Sequence, residues 1–207
     1  MKIFVIIISY LLGSIPFGFI LGKIKGIDVR KYGSGNIGTS NVARTLGKKA
    51  AILTLLGDGL KGLIAVLLAR IVLHGNLPWI IAAGIAVVIG HCWTVFLKFK
   101  GGKGVTTTYG AFLGIAWLPA LAAILTWVLV TLITKKSSAA ALISAPCAPI
   151  FAYLAGFLMS GDPLPGILFA AVSFVIIYIR HIENIKRILA GKEHRLDEKI
   201  QTQKDDS

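Results

Sequence analysis

VTTTYGAFLGIAWLPALAAILTWVLVTLITKK, residues 105–136, decides how this chain is threaded. Read as one apolar run, it is longer than the ~20 residues that a helix needs to cross a bilayer. Read as two, it divides into Val105–Trp117 and Pro119–Thr134, with Leu118-Pro119 as the turn. The two readings differ in parity, so they put everything after Lys135-Lys136 on opposite sides of a membrane.

The rest of the chain chooses between them. At 207 residues and 56% hydrophobic, it carries apolar segments too long and too numerous for a soluble core. The others are Ile3–Leu21, Ala50–Leu73, Trp79–Leu97, Ala139–Leu158 and Ile167–Ile179. With the 105–134 run divided, the loops Lys23–Lys49, Lys98–Lys103 and Lys135-Lys136 and the tail from Arg180 share one side. Of the 22 Lys and Arg, Lys2 and Arg70 lie toward the other side and Lys61 lies within a segment; the remaining 19 lie together. The opposite loops, His74–Pro78, Leu118-Pro119 and Ser160–Pro165, contain no Lys or Arg. An excess of cations marks cytoplasmic loops.

The expectation is therefore an all-α integral membrane protein, a single bundle of about seven transmembrane helices. Two of them, the fourth and seventh, are short; the N-terminus is external and the C-terminus cytoplasmic. Residues 1–190 form the membrane domain, and 191–207 a polar, disordered cytoplasmic tail after a helix that starts near Arg180. Met1-Lys2 opens a retained first span, because no small-residue cleavage site follows it. The formal charge of +13 lies in short loops, which indicates topology and anionic partners and not nucleic acid. Cys92 and Cys147 fall in apolar segments and form no metal-ligand spacing, so both read as packing residues and no metal site is expected.

Three polar clusters fall on the basic side. In Tyr32–Arg44, Gly35, Asn36, Gly38, Ser40 and Asn41 surround a loop whose backbone N–H groups suit a phosphate, with Ser34 and Arg44 at its ends. A plain inter-helix linker would need no such mixture of donors. In Lys98–Val105, Gly101, Gly102, Lys103 and Gly104 precede a helix start and make a second anion site. The spacing is not that of a Walker A loop. In Arg180–Arg187, Arg180, His181, Asn184 and Arg187 fall at helical spacings that can converge on one anion. Glu183 reads as structural, pairing with Arg180 or Arg187. Ser137 and Ser138 either cap a helix or donate to a ligand. Asp58 and Lys61, spaced i+3 inside the second segment, read as a buried pair; Asp58 is taken as structural and Lys61 as substrate-facing. His91 reads as a packed, hydrogen-bonded histidine.

Charge alone yields a membrane protein that binds phosphorylated ligands from the cytosol. A transporter would show inverted repeats, and none is visible; a membrane phosphatase lacks its paired Arg/His pattern. The motifs themselves resemble a known family, the bacterial acyl-phosphate:glycerol-3-phosphate acyltransferases. Ser34–Arg44 is similar to its first motif. Gly90-His91 through Phe96, with Phe99–Val105, is similar to the second. Arg180-His181 with Asn184-Ile185 and Arg187 is similar to the third. The family usually has Ala-Thr-Asn where Thr39-Ser40-Asn41 stands, and a proline at the position of Thr94.

The resemblance implies a lipid-biosynthetic acyltransferase of the bacterial cytoplasmic membrane with its site facing the cytosol. It implies acyl phosphate and glycerol 3-phosphate as substrates and lysophosphatidate as product. It implies no cofactor, and the enzyme supplying acyl phosphate as a further partner. Ser34, Arg44, His181 and Asn184 are then the catalytic set and Lys103 a phosphate handle. Tyr32 breaks the G-x-S-x-G elbow, so Ser34 is read as a hydrogen-bonding residue and not a nucleophile. His181 is a phosphate ligand or a general base, unless a substrate phosphate takes the proton.

Overall fold

The computed structural model of the chain describes residues 1–198 and 200; the expected disorder of the tail beyond them falls outside the described residues. Every regular element among these is helical. In chain order they are α1 (Lys2–Ser14), α2 (Phe17–Ile24), α3 (Thr39–Leu46), α4 (Lys48–Val72), α5 (Leu77–Cys92), α6 (Val105–Ile115), α7 (Trp117–Thr134), α8 (Ser137–Met159), α9 (Leu164–Arg180) and α10 (Ile182–Leu189). Single 3-10 turns occupy Val29–Lys31 and Val95–Leu97. Five stretches are long and apolar enough to cross a bilayer: Lys2–Ile24, Lys48–Val72, Leu77–Leu97, Trp117–Thr134 and Ser137–Met159. The pair α9–α10, bent by 62°, makes a sixth if it counts as one span. At 11 residues, α6 is too short to cross alone.

Several boundaries differ from the sequence expectation, each for a local reason. The segment Ile3–Leu21 is broken at Ile15-Pro16. A residue before proline is pushed out of the helical region, and Ile15 is extended at φ −61°, ψ 114°. The turn expected at Leu118-Pro119 lies instead at Ala116 (φ −149°, ψ 91°). Leu118 and Pro119 sit in the first turn of α7, where proline's missing N–H costs nothing. The polar loop expected through Arg44 stops at Gly38, and Thr39–Leu46 is helical. The glycines fall before this stretch and after it, at Gly47.

The interior is built from small residues. Ala65, Ala69, Ala83, Ala120, Ala123, Ala148 and Ala152 lie in the main buried cluster. Large side chains such as Ile133, Leu125 and Phe157 face outward. Where lipid is as apolar as the core, close packing takes over as the organising force, and small residues permit it. The α1–α5 crossing is the clearest case. A Cβ on Gly13 would lie 2.1 Å from the Val87 carbonyl oxygen, and one on Gly90 would lie 2.1 Å from that of Tyr10.

Two ends are thereby defined. At one, Lys2 sits over the Trp79 ring (5.4 Å), and Arg70 donates to Ile115 O (3.0 Å), the last carbonyl of α6. At the other meet the loops 25–38, 98–104 and 135–136 and the segment from His181. Replacing Gly90 by alanine should drive α1 from α5 and lower stability by ~1–3 kcal/mol, the usual cost of overpacking. Thermal unfolding in detergent checks this, and an unchanged midpoint would show that the crossing yields freely.

Candidate active site

The cationic end holds a cleft open to the outside. Two helix starts open into it. α3 begins after Gly38 and α6 after Gly104, and neither has a side-chain cap. Gly38, Thr39, Ser40 and Asn41 line the cleft from the first, and Lys103, Gly104, Val105 and Thr106 from the second. First-turn N–H groups lack helical partners, and the dipole adds positive potential, so two glycine-capped starts facing one cleft suit anions. Gly104 has φ +85°, and a Cβ there would lie 2.9 Å from Cys92 Sγ.

The loop before α3 is built differently from a simple N–H cradle. Much of its donor capacity is spent on itself: Ser34 N donates to Asn41 Oδ1 (3.1 Å), Gly35 N to Tyr32 O (3.0 Å) and Gly38 N to Asn36 Oδ1 (2.9 Å). The amide of Asn41 also donates to Val29 O (2.9 Å) and Tyr32 O (3.1 Å), which makes Asn41 the strut of the loop. Side chains are what the loop offers the cleft. Arg44 donates through Nη2 to Ser34 Oγ (3.3 Å), which leaves the Ser34 hydroxyl hydrogen free. Arg44 Nη1 reaches Arg195 O (3.4 Å). Ser40 Oγ and Ser137 Oγ lie 2.6 Å apart across the cleft.

On the facing wall, Lys103 Nζ donates to Asn184 Oδ1. Asn184 Nδ2 donates to Glu193 Oε1 (2.7 Å), which also accepts from Ser138 Oγ (2.8 Å). Arg187 Nε donates to Glu193 Oε2 (3.0 Å). Burial alone would raise the Glu193 carboxyl; the bonds from Asn184, Ser138 and Arg187 outweigh it and hold the pKa below the ordinary value. Burial, reinforced by Arg187, Arg44 and Arg180 against Glu193, lowers Lys103 to about 8. His181 Nδ1 lies 2.8 Å from Ile177 O. A carbonyl only accepts, so Nδ1 carries the hydrogen and Nε2 holds the lone pair.

Of the residues expected from sequence, Ser34, Asn36, Gly38, Ser40, Asn41, Arg44, Lys103, Gly104, Ser137, Ser138, His181 and Asn184 line this one cleft, and Asp58 joins them. Gly35, Gly101, Gly102 and Lys61 do not. Gly101 N and Gly102 N donate to Cys92 O (3.2 Å) and His91 O (2.9 Å) at the end of α5. A Cβ on Gly101 would lie 2.1 Å from His91 O. These two glycines dock the loop and do not line the cleft. Their carbonyls accept from Arg180, Gly102 O from Nε (3.0 Å) and Gly101 O from Nη2 (3.1 Å). The Arg180 guanidinium stacks over Trp93 (5.3 Å).

The expected convergence of Arg180 and Arg187 on an anion is thus absent; each serves another residue of the site. Glu183 is exposed and pairs with Lys186 (2.9 Å). It braces neither arginine, because the i+3 lysine on the same exposed face is nearer. α8 starts at Ser137 without a side-chain cap, so neither serine caps it. Lys61 Nζ is 2.7 Å from Asp58 Oδ1 and donates to Ile15 O (2.8 Å) at the break between α1 and α2, which turns it away from the cleft. Thr94, where a proline was the usual residue, donates to Ser14 O (2.6 Å) at that break.

Sequence reasoning missed Glu193, which lies beyond the last helix where no periodicity marks a residue. It also missed the cleft-lining Thr39, Leu55 and Trp127, and it read His91, which is packed as expected, without placing it at the cleft. Nine buried side-chain polar atoms lack a hydrogen bond among the described residues. Five of them belong to residues that line this cleft: those on Thr39, Arg44 and Trp127, and those on Asp58 and His91, which stand in the ion-pair group with Lys61. Buried polar groups are normally satisfied, so this concentration marks a place for a ligand.

Comparison with known proteins agrees with that geometry. The family model described as glycerol-3-phosphate acyltransferase matches residues 3–191. A glycerol-3-phosphate acyltransferase of Rubrobacter xylanophilus is 44% identical over 94% of this chain and 95% of its own. One from Caulobacter vibrioides is 46% identical over 92% and 86%. Among solved structures, PlsY, an integral membrane glycerol 3-phosphate acyltransferase crystallised in a glycerol 3-phosphate form, superposes with a TM-score of 0.85. It is 39% identical and covers 94% of each chain. Its lysophosphatidic acid form gives 0.84. A match along nearly the whole chain, through all three clusters that build the cleft, leaves one assignment: the chain belongs to the glycerol-3-phosphate acyltransferase family.

Proposed function

We propose that this cleft passes a fatty acyl group from acyl phosphate to the 1-hydroxyl of sn-glycerol 3-phosphate, giving 1-acyl-glycerol 3-phosphate (lysophosphatidate) and inorganic phosphate. The observation that carries the reading is the pairing of two glycine-capped helix starts with Arg44 and Lys103 in one cleft. Each substrate carries a phosphate, and the cleft offers donors for two.

An acyl phosphate is a mixed anhydride with a good leaving group, so the reaction needs positioning and charge stabilisation more than a strong base. The 1-hydroxyl oxygen attacks the acyl carbon, the bond from that carbon to the phosphate oxygen breaks, and the phosphate departs. The hydroxyl proton ends on inorganic phosphate, so atoms and charges balance with no proton lost to solvent. Arg44 and Lys103 hold phosphate charge, while Ser34 and Asn184 hydrogen-bond phosphate or the developing oxyanion. Nε2 of His181, a lone-pair acceptor, suits the attacking hydroxyl better than a phosphate oxygen. Ser34 accepts from Arg44, and no base is bonded to it among the described residues, so it is not activated as a nucleophile.

In this reading seven helices are membrane-embedded, α1–α2 counted as one and α6 and α9 as the short ones, with the N-terminus outside and the cleft at the cytoplasmic face of the bacterial inner membrane; the one-sided distribution of loop cations supports it. The domain of residues 1–190 carries the reaction, and the segment after it closes the far wall through Glu193. The enzyme that makes acyl phosphate delivers it from the same side.

Labelling tests the sidedness. In a background without Cys92 and Cys147, Lys135→Cys should react only in inverted vesicles and Gly161→Cys only in intact cells; the reverse pattern would overturn the topology. Lys103→Ala should raise KM for glycerol 3-phosphate roughly tenfold to a hundredfold with a smaller effect on kcat, because a charge-assisted contact to a non-reacting group contributes ~1.5–3 kcal/mol. Lys103 is cationic below its lowered pKa and neutral above it. kcat/KM for glycerol 3-phosphate should therefore fall as pH rises through about 8, and Lys103→Arg should move that limb upward. His181→Gln should lower kcat by ~10²-fold or more. Retention of more than a few per cent would assign the proton directly to a substrate phosphate, and isolation of an acylated Ser34 would overturn direct transfer.

A further inference from the structure

The cleft also contains a buried carboxylate that the transfer just described does not use. Asp58 on α4 is 2% exposed and lines the cleft beside the cationic wall. An isolated carboxylate there would repel phosphate and weaken the site. Its position is nevertheless built with care. Lys61 Nζ holds Oδ1 at 2.7 Å, and His91 Nδ1 stands 3.5 Å from the same oxygen. Lys61 is anchored in turn by Ile15 O (2.8 Å) and lies over the Phe17 ring (5.7 Å). His91 is wedged against the docked loop: a Cβ on Gly102 would lie 2.1 Å from its Nε2.

Both neighbours approach the same oxygen, Oδ1, and His91 Nδ1 completes no hydrogen bond among the described residues. A carboxylate ion-paired with an ammonium is an acceptor only. Its second oxygen, Oδ2, meets no donor among the described residues. A phosphate dianion offers none and is repelled. A hydroxyl offers one.

Glycerol 3-phosphate has two hydroxyls, and the cleft has two acceptors of different character. His181 Nε2, on the α9–α10 corner, is a neutral lone pair suited to the reacting 1-hydroxyl. Asp58, held between Lys61 and His91 on α4 and α5, is a fixed anion suited to a hydroxyl that stays put. We propose that Asp58 is a specificity-determining residue that accepts a hydrogen bond from the non-reacting 2-hydroxyl of glycerol 3-phosphate, with Lys61 and His91 as positioning residues; this rests on the acyl transfer proposed above. The phosphate end then meets the cationic wall and the polyol end meets the carboxylate, so one orientation of the acceptor is selected and simple phosphates are passed over.

The test uses 3-hydroxypropyl phosphate, which keeps the phosphate and the reacting hydroxyl and lacks the 2-hydroxyl. With acyl phosphate as donor, the wild-type protein should prefer glycerol 3-phosphate in kcat/KM by roughly 10- to 100-fold, the range for a hydrogen bond to a charged group. Asp58→Asn should shrink that preference to a few-fold. Because Asp58→Asn leaves Lys61 unpaired in the membrane interior, Asp58→Asn/Lys61→Gln is measured beside it, glutamine keeping a donor for Ile15 O. An unchanged preference in either variant, or equal wild-type use of the two alcohols, overturns the assignment to Asp58. A wild-type protein that acylates neither alcohol instead sinks the acyl transfer itself. Should neither variant fold, difference infrared spectra of wild-type protein decide: a carboxylate band that shifts with glycerol 3-phosphate and not with the deoxy compound supports Asp58, and no difference between them overturns it.

Discussion

A backbone group exposed by a broken helix has no water to turn to inside a bilayer, and the rest of this structure follows from that constraint. α1 ends at Ser14, just before Pro16, and the freed carbonyls of Ser14 and Ile15 are met by Thr94 and Lys61. α5 ends at Cys92, and its last carbonyls accept from Gly101 and Gly102, which only glycine could bring so close. α6 ends at Ile115, whose carbonyl accepts from Arg70. At these three breaks the carbonyl ends are satisfied by protein. The starts of α3 and α6, both at glycine, open into the same cleft. The binding site joins those two helix starts to the side chains of Ser34, Arg44 and Lys103.

The positioning of Lys103 shows how closely fold and site are joined. Lys103 follows two glycines held by α5 carbonyls on one side and by Arg180 on the other. Lengthening either glycine by a methyl group would push the loop off His91 and displace the lysine with it. A charge-neutral reading of this segment would call it a docking loop, and a charge-based reading would call it an anion site. Both hold, residue by residue: Gly101 and Gly102 dock, while Lys103 and Gly104 face the cleft.

The membrane class, the break within residues 105–134 and the gathering of three polar clusters were legible because each has a signal that one sequence carries: run length, charge parity and residue type. Finer assignments failed where a residue's partner lies far along the chain. Arg180 and Arg187 looked like ligands because their spacing converges on one helix face; nothing local announces that Gly101, Gly102 and Glu193 take them first. Lys61 looked substrate-facing because a charge in a span suggests function; its partner is a carbonyl freed by a proline 45 residues earlier, at Pro16. Glu193 stands in an irregular segment with no period to flag it. The position of Thr94 was legible as a departure from its family, and the structure supplies the reason it is tolerated: its hydroxyl holds the α1 break that a kink would otherwise have to accommodate.

The charges of the cleft also explain how the site persists without its ligands. Arg44 and Lys103 are buried cations, and burial lowers the pKa of both. Glu193 offsets them by accepting from Ser138, Asn184 and Arg187, and Asn184 carries that influence on to Lys103. The single carboxylate thus ties α8, α10 and the chain's last described segment to the loop before α6. A phosphate entering the cleft supplies the missing negative charge, favours protonated Lys103 and competes for the same donors. Binding should therefore loosen the Glu193 chain as it forms its own contacts, so that part of the substrate's binding energy replaces interactions already present. Such a site holds its geometry when empty and is complementary to charge that arrives and redistributes. That is what the direct transfer proposed above, from a mixed anhydride with no covalent acyl-enzyme, asks of a protein.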